Sequence, residues 1–233
     1  MRQPLIQNYF SLLPEQPADA NPALWAETYR KALQKFQRAV DARYNEATLE
    51  RLLNAADPTT RRAVILALGL VGTMNVNLSL ASRLHDDDLS VCELAADALW
   101  SIWFRADAAP NNLELQRLIR LDVTTESGHD VLAAFTALIK TAPRFAEAHN
   151  QRAIVHFRLG DFGKAVLDCE KTLRLNPVHF GAAAGMAQSF MKQRKLRAAL
   201  RSFRRAYRIN PRIDGIGDTI DSLEKTLGEE GKR

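Results

Sequence analysis

Residues 146–179 read AEAHNQRAIVHFRLGDFGKAVLDCEKTLRLNPVH, and a shift of 34 places lays them over Phe180 to Ile213. Ala153 falls over Ala187, His156 over Phe190, Ala165 over Ala199, Cys169 over Phe203, Leu173 over Tyr207, and Asn176-Pro177 over Asn210-Pro211. Small residues recur where two helices must approach closely, and larger apolar ones fill the space beside them. Asn-Pro closes the second helix at the same place in both copies, because a residue before proline is pushed out of helical backbone. A fixed period of this length is the mark of stacked helical hairpins.

The first copy resembles the tetratricopeptide repeat through Ala153, Leu159-Gly160-Asp161-Phe162, Ala165, Leu173 and Pro177. His149 stands in that family's usual Trp place and Arg152 in its usual Leu place, so looser packing of the first helix is expected. An earlier unit shows in Val131, Phe135, Leu138 and Pro143, which lie 34 residues before Ala165, Cys169, Thr172 and Pro177, with a divergent first helix at 112–121. After Pro211, the stripe Ile213, Ile216, Ile220, Leu223 and Leu227 with an acidic back predicts a terminal capping helix. The resemblance implies a concave groove lined by the first helix of each hairpin. Carried over residue by residue, its lining is Glu147, Asn150, Ile154 and Phe157, then Ala184, Gln188 and Met191. Relatives that clamp a chaperone's C-terminal carboxylate use Lys, Asn and Arg in such grooves. Ile154 and Ala184 depart from that arrangement and disfavour that ligand.

The N-terminal half carries a shorter period. Leu53, Asp57, Ala63, Ala67 and Leu68 return as Leu84, Asp88, Leu94, Ala98 and Leu99, an offset of 31. Each unit runs from an apolar helix through an Asp-containing turn to an Ala-rich helix, and Asp57-Pro58 is a capping residue followed by proline at the first helical position. The two units resemble HEAT repeats. Ahead of them, Asn21-Pro22 starts a helix whose Trp25, Tyr29, Leu33, Phe36, Val40 and Tyr44 share one face. Residues 1–20, with Pro4, Pro14 and Pro17, read as an irregular lead-in ordered in part by Ile6, Phe10 and Leu13.

No segment alternates with a period of two, so the expected fold class is all-α, a solenoid of helical hairpins that is HEAT-like and then tetratricopeptide-like. The expected divisions are 1–20 lead-in, 21–108 capping helix plus HEAT-like repeats, and 109–233 tetratricopeptide-like repeats with a C-terminal cap.

Chemistry-bearing patterns are absent from the sequence. The five histidines, His85, His129, His149, His156 and His179, form no zinc spacing. Some HEAT-repeat enzymes hold iron with His-Glu pairs, whereas this chain has His85-Asp86 and His129-Asp130. The glycines make no phosphate loop, and no serine stands in a nucleophile elbow. Asp86-Asp87-Asp88 precedes an Ala-rich helix and reads as capping, and Ser90 with Glu93 reads as a capping box. Cys92 and Cys169 read as reduced core residues. No enzyme, metal or cofactor is therefore expected. The paired Trp100 and Trp103 replace Gly69 and Gly72 of the preceding unit and are expected to fill a joint between helices, with a partner patch as the sharper alternative. The opening residues hold no apolar run of leader length, and the apolar run from Ala63 to Val71 is too short to span a bilayer, so a cytoplasmic protein without membrane insertion is expected.

Charge is concentrated in one place. The net charge is +5, yet nine basic and no acidic residues lie between Lys192 and Arg212. Arg197, Arg201, Arg204 and Arg208 follow helical spacing and form one stripe, with Asp214, Asp218, Asp221 and Glu224 beyond it. The stripe suits an acidic protein segment, or less readily nucleic-acid phosphate. The main expectation is a non-catalytic adaptor or scaffold that holds a protein or peptide partner in the groove.

Overall fold

The lead-in folds further than its prolines suggest. In the computed structural model, which describes residues 4–124 and 126–230, Leu5–Phe10 is a short helix, α1, anchored by fully buried Ile6. Residues 1–3 of the expected lead-in lie outside the described residues. Phe10 and Leu13 are half-buried, and the Ile6 N–H donates to the Tyr44 hydroxyl at 3.1 Å. Asn21 caps α2, Pro22–Asp41, by accepting from the Ala23 and Leu24 N–H groups. The expected aromatic and aliphatic face of this helix is its inward one, with Phe36 and Val40 buried and Trp25, Tyr29, Leu33 and Tyr44 half-buried.

The 31-residue period appears as geometry. Helix α3, Glu46–Leu52, and α4, Pro58–Val71, are followed by a 3-10 turn at Met74–Val76 and α5, Asn77–Ser82. A second 3-10 turn, Arg83–His85, leads into α6, Leu89–Trp103. Both helix starts repeat at the same offset, Glu46 with Asn77 and Pro58 with Leu89. The caps repeat too: the Thr60 N–H donates to Asp57 at 2.7 Å and the Val91 N–H to Asp88 at 3.0 Å. Asp88 therefore starts α6, and Ser90 lies inside the helix rather than capping it, a correction that follows from Asp88 being the stronger and earlier acceptor. Asp86 accepts the Asp88 N–H at 3.1 Å, ahead of the helix, and takes Arg61 at 2.7 Å and Arg83 at 3.5 Å; although burial alone would push its carboxyl up, the hydrogen bonds from Arg61 and Asp88 and the charges of Arg61 and Arg83 hold it low. Helix α4 is the centre of this first unit, residues 1–102, packing against α1, α2 and α3. An added Cβ at Gly69 would stand 3.1 Å from the Ala98 Cβ, so α4 and α6 approach closely there.

The second unit, residues 103–233, begins at Trp103. Its helices are α7 (Ala109–Leu118), α8 (Gly128–Thr141), α9 (Ala146–Arg158), α10 (Phe162–Leu175), α11 (Phe180–Lys192), α12 (Leu196–Ile209) and α13 (Ile216–Glu230). Helix α7 starts three residues before the expected 112, because Pro110 sits in its first turn and Asn112 folds its amide back onto the Asp107 carbonyl at 2.7 Å. From α7 onward each helix packs against the next, which is the stacking pattern the 34-residue period predicts. Val131, Phe135 and Leu138 are buried with Leu115 and Leu118 in one cluster. Ala153, Cys169, Ala187, Ala199, Phe203 and Ala206 form the next, closed by Ile216 and Leu223 of α13. Among the described residues every regular element is helical, so the chain is all-α.

Inside the α9–α10 hairpin, polar groups replace the expected apolar contact. Arg152 reaches Asp168 with Nε at 2.8 Å and Nη2 at 2.7 Å, while its Nη1 donates to the Thr136 hydroxyl of α8 at 3.0 Å. His149 donates from Nε2 to the Pro143 carbonyl at 3.2 Å. The expectation of loose packing is thus corrected: a bidentate ion pair ties three consecutive helices where a leucine would have packed. Burial pushes the Asp168 carboxyl up, but the hydrogen bonds and charge of Arg152 outweigh it and hold the group below the usual range. Burial also pushes the His156 imidazole down, against the pull of the neighbouring Asp168 charge.

The turns between paired helices carry one anomaly. Gly160 follows α9 with φ 81°, and Arg194, 34 residues later, follows α11 with φ 58°. Left-handed backbone costs a side-chain-bearing residue roughly 1 kcal/mol relative to glycine.

Two outcomes follow from this packing. Ala165→Leu and Ala199→Leu, each at a buried helix contact, should each lower stability by roughly 1–3 kcal/mol through overpacking, read as a lower midpoint in urea with the helical dichroism signal retained. Asp168→Asn should cost roughly 3 kcal/mol at neutral pH by leaving Arg152 unpaired. Because the folded carboxyl lies below its unfolded value of about 4, the wild-type contribution is present above that pH and is lost as pH falls from there through the lower folded value. Stability curves of the two proteins should therefore converge toward acid, and parallel curves would contradict the assignment.

Candidate functional site

The expected groove positions fall on two helices at equivalent places. Glu147, Asn150, Ile154 and Phe157 lie on α9, and Ala184, Gln188 and Met191 lie on α11, which contacts α9 directly. Asn150 pairs by register with Ala184, Ile154 with Gln188, and Phe157 with Met191. Their exposures divide the set. Ile154 is 39% exposed and Met191 36%, Gln188 is exposed, and Phe157 and Ala184 are half-buried. Phe157 meets Phe162 edge-on at a centroid distance of 5.3 Å, which fixes its ring.

Glu147 and Asn150 do not line an open surface. Glu147 and His179 are fully buried, and Asn150 is buried beside them. The His179 Nδ1 accepts from the Ala182 N–H at 3.0 Å as the cap of α11, so Nε2 carries the proton and donates to Glu147 Oε2 at 2.8 Å. Glu147 Oε1 accepts from Asn150 at 3.0 Å and Gln151 at 2.7 Å. Three donors therefore hold the carboxylate in the first turn of α9, where the helix dipole also favours it. The Trp103 ring stacks on His179 at 4.2 Å and meets Phe180 at 5.2 Å, closing this end of the face. Glu147 and Asn150 are thus structural here, orienting α11 against α9. Trp103 is buried, the role first expected of it, while Trp100 is half-buried.

The sequence reading missed His179 and Asp168 as partners. The signal for His179 was its place as the last residue of the 34-residue unit, just before an Ala-rich helix that needs a cap. Asp168 gave none, since the residue type is ordinary on an exposed helix face and its role depends on Arg152 standing in the leucine place.

The basic stripe is exposed along its length: Arg197, Arg201, Arg204 and Arg208 all face solvent on α12. Arg204 grips Glu224 of α13 through Nε at 3.2 Å and Nη2 at 2.8 Å. Among the described residues, no acidic side chain pairs with Arg194, Lys195, Arg197 or Arg201. No group of three or more His, Cys, Asp or Glu among the described residues is placed to hold a metal, and no described helix is long and apolar enough to cross a membrane. Burial pushes the Cys169 thiol up to about 12, which keeps it an unreactive packing residue.

Comparison with known proteins agrees with the hairpin geometry. A TPR repeat-containing protein of Rhizobium etli is 34% identical over 89 residues, 38% of this chain and 44% of that protein. Sperm-associated antigen 1 of Mus musculus is 32% identical over 82 residues, and Superkiller protein 3 of Schizosaccharomyces pombe is 26% identical over 135 residues. These stretches cover 35% and 58% of this chain but 9% of each relative, so the chain spans less than half the length of the curated relatives it matches. Among solved structures, the first TPR of Spaghetti (RPAP3) bound to HSP90 peptide SRMEEVD superposes with a TM-score of 0.43 at 18% identity, over 51% of this chain and 88% of that one. Residues 146–179, the α9–α10 hairpin and its flanking turns, match the tetratricopeptide repeat family, so a tetratricopeptide repeat stands where the period was first read.

Proposed function

We propose that this chain is a non-catalytic adaptor or scaffold of the cytoplasm, which holds a protein or peptide partner on the face built by α9 and α11. The observation that carries this reading is the pair of exposed apolar side chains, Ile154 and Met191, at groove positions of successive hairpins. With Gln188 beside them and Phe157 beneath, they offer an apolar strip with one amide donor and acceptor, which suits an extended or helical peptide. Glu147 supports that strip through its bond to His179 at the start of α11, Asn150 holds the Glu147 carboxylate, and Ala184 is the small groove residue of α11. The proposed divisions are 1–20 for the lead-in, 21–108 for the capping helix and a HEAT-like pair of hairpins, and 109–233 for the tetratricopeptide-like repeats with their C-terminal cap. The buried free thiols Cys92 and Cys169 suit a reducing compartment.

The test uses the full chain immobilised as bait. Among the proteins retained by the wild type, at least one should be lost with the double variant Ile154→Asp, Met191→Asp and kept with Arg197→Glu, Arg201→Glu. For a partner so identified, Phe157→Ala or Gln188→Ala should each weaken affinity by about tenfold, the size of a moderate interface hot spot. Unchanged retention by the Ile154, Met191 double variant, with its melting temperature preserved, would overturn the reading.

A further inference from the structure

The turn from α11 to α12 encloses a second surface whose chemistry differs from that of the α9–α11 face. Arg194, Lys195, Arg197 and Arg201 rim a depression of about 490 Å³, and Leu196, Ala198 and Leu227 line its remaining wall. Leu196, Ala198 and Leu227 are half-buried, so each still shows apolar surface to an incoming group. We propose that this depression docks an acidic peptide segment of a partner protein, whose carboxylates meet the four cationic side chains while one apolar side chain enters against Leu196, Ala198 and Leu227.

Three observations converge on that occupant. The four cations lie within eight residues and have no acidic partner among the described residues, whereas Arg204, further along the same helix, is already held by Glu224. The charge that a ligand would neutralise is therefore at the α11 end of the stripe, and α13 has taken the other end. Second, the wall between the cations is aliphatic. A single-stranded nucleic acid gains most of its base binding from stacking on aromatic rings, and no aromatic residue lines this depression. Tyr207, at 44% exposure, lies outside this depression, in a separate recess with Arg204, Arg208, Ile220 and Asp221. An acidic peptide carrying one leucine or phenylalanine uses both the charge and the wall. Third, Arg194 holds left-handed backbone at the place where the preceding repeat has Gly160. A residue kept against its backbone preference points to a use for its side chain, and its guanidinium adds to this rim.

The test measures fluorescence anisotropy of labelled dodecapeptides titrated with the full chain. The peptides share Asp and Glu flanks and carry Leu, Phe or Gly at one central place; a labelled oligothymidine of matched charge is the second probe. The Leu or Phe peptide should bind saturably, and its Gly counterpart about fivefold more weakly, because only the apolar contact is removed. Arg197→Glu, Arg201→Glu should weaken the Leu peptide at least about tenfold. Arg194→Gly should weaken it by a few-fold while leaving the melting temperature equal or higher, since glycine relieves the backbone; a purely structural role for Arg194 would move stability and not affinity. Ile154→Asp, Met191→Asp should leave this binding unchanged, which separates it from the α9–α11 face. Equal affinity for the Leu and Gly peptides, no loss in the Arg197, Arg201 double variant, or tighter binding of oligothymidine than of every peptide would overturn the proposal, the last in favour of a nucleic-acid surface.

Discussion

Helices in the second unit lie close enough to stack because alanine occupies their contacts, and the remaining features of that unit depend on this spacing. Ala153, Ala165, Ala187, Ala199 and Ala206 are all buried, and Cys169 and Phe203 fill the volume that the methyl groups leave. A larger side chain at these points would push neighbouring axes apart and misalign equivalent positions of successive hairpins. Asn176-Pro177 and Asn210-Pro211 then stop the second helix of each hairpin at the same length, so successive hairpins present the same positions in register. Equivalence of Ile154 with Gln188 and of Phe157 with Met191 is a consequence of that register.

Within this frame, two buried polar systems do different work. Arg152 and Asp168 replace an apolar contact with a charged one that reaches Thr136 as well, so three helices share one ion pair. Such a pair adds little net stability over well-packed hydrophobic residues, yet it tolerates few alternative packings, because any other arrangement strands a charge. Glu147 and His179 instead join the start of α9 to the start of α11, with His179 also serving as a helix cap. One imidazole thereby fixes a helix end, a neighbouring carboxylate and the stacked Trp103 ring together.

The repeat frame was legible because it is periodic: the 34- and 31-residue offsets, the Asp57 and Asn21 caps and the stripe of α13 each depend on local spacing alone. Helix α1 was hidden by its prolines, and its order rests on buried Ile6 and on long-range bonds to Tyr44 and, through Gln7, to Asp57 and Thr60. The start of α7 was displaced because Asn112 turned inward to the Asp107 backbone, a choice that composition does not reveal. The family resemblance places Glu147 and Asn150 outward, whereas they are buried because His179 and Trp103, 32 residues after and 44 before Glu147, converge on the same end of the face. Charge density was readable, but its division between a paired and an unpaired end required the position of α13.

Hairpin stacking also separates chemistry by helix. First helices α9 and α11 carry the exposed Ile154 and Met191, whereas the cations lie on α12 and the turn before it. Serving chain reversal alone, the α11–α12 turn would be lowest in energy with glycine, as at Gly160. Arginine there is disfavoured by the backbone and by repulsion from Lys195 and Arg197, and neither cost is offset by an acidic partner among the described residues. The repulsion falls on binding a ligand whose charge is negative, and a ligand of that sign is stabilised by this surface in proportion to how many of the four cations it can reach at once. An extended acidic segment meets that condition better than a single anion does, because the cations are spread around a rim and their shared wall is apolar.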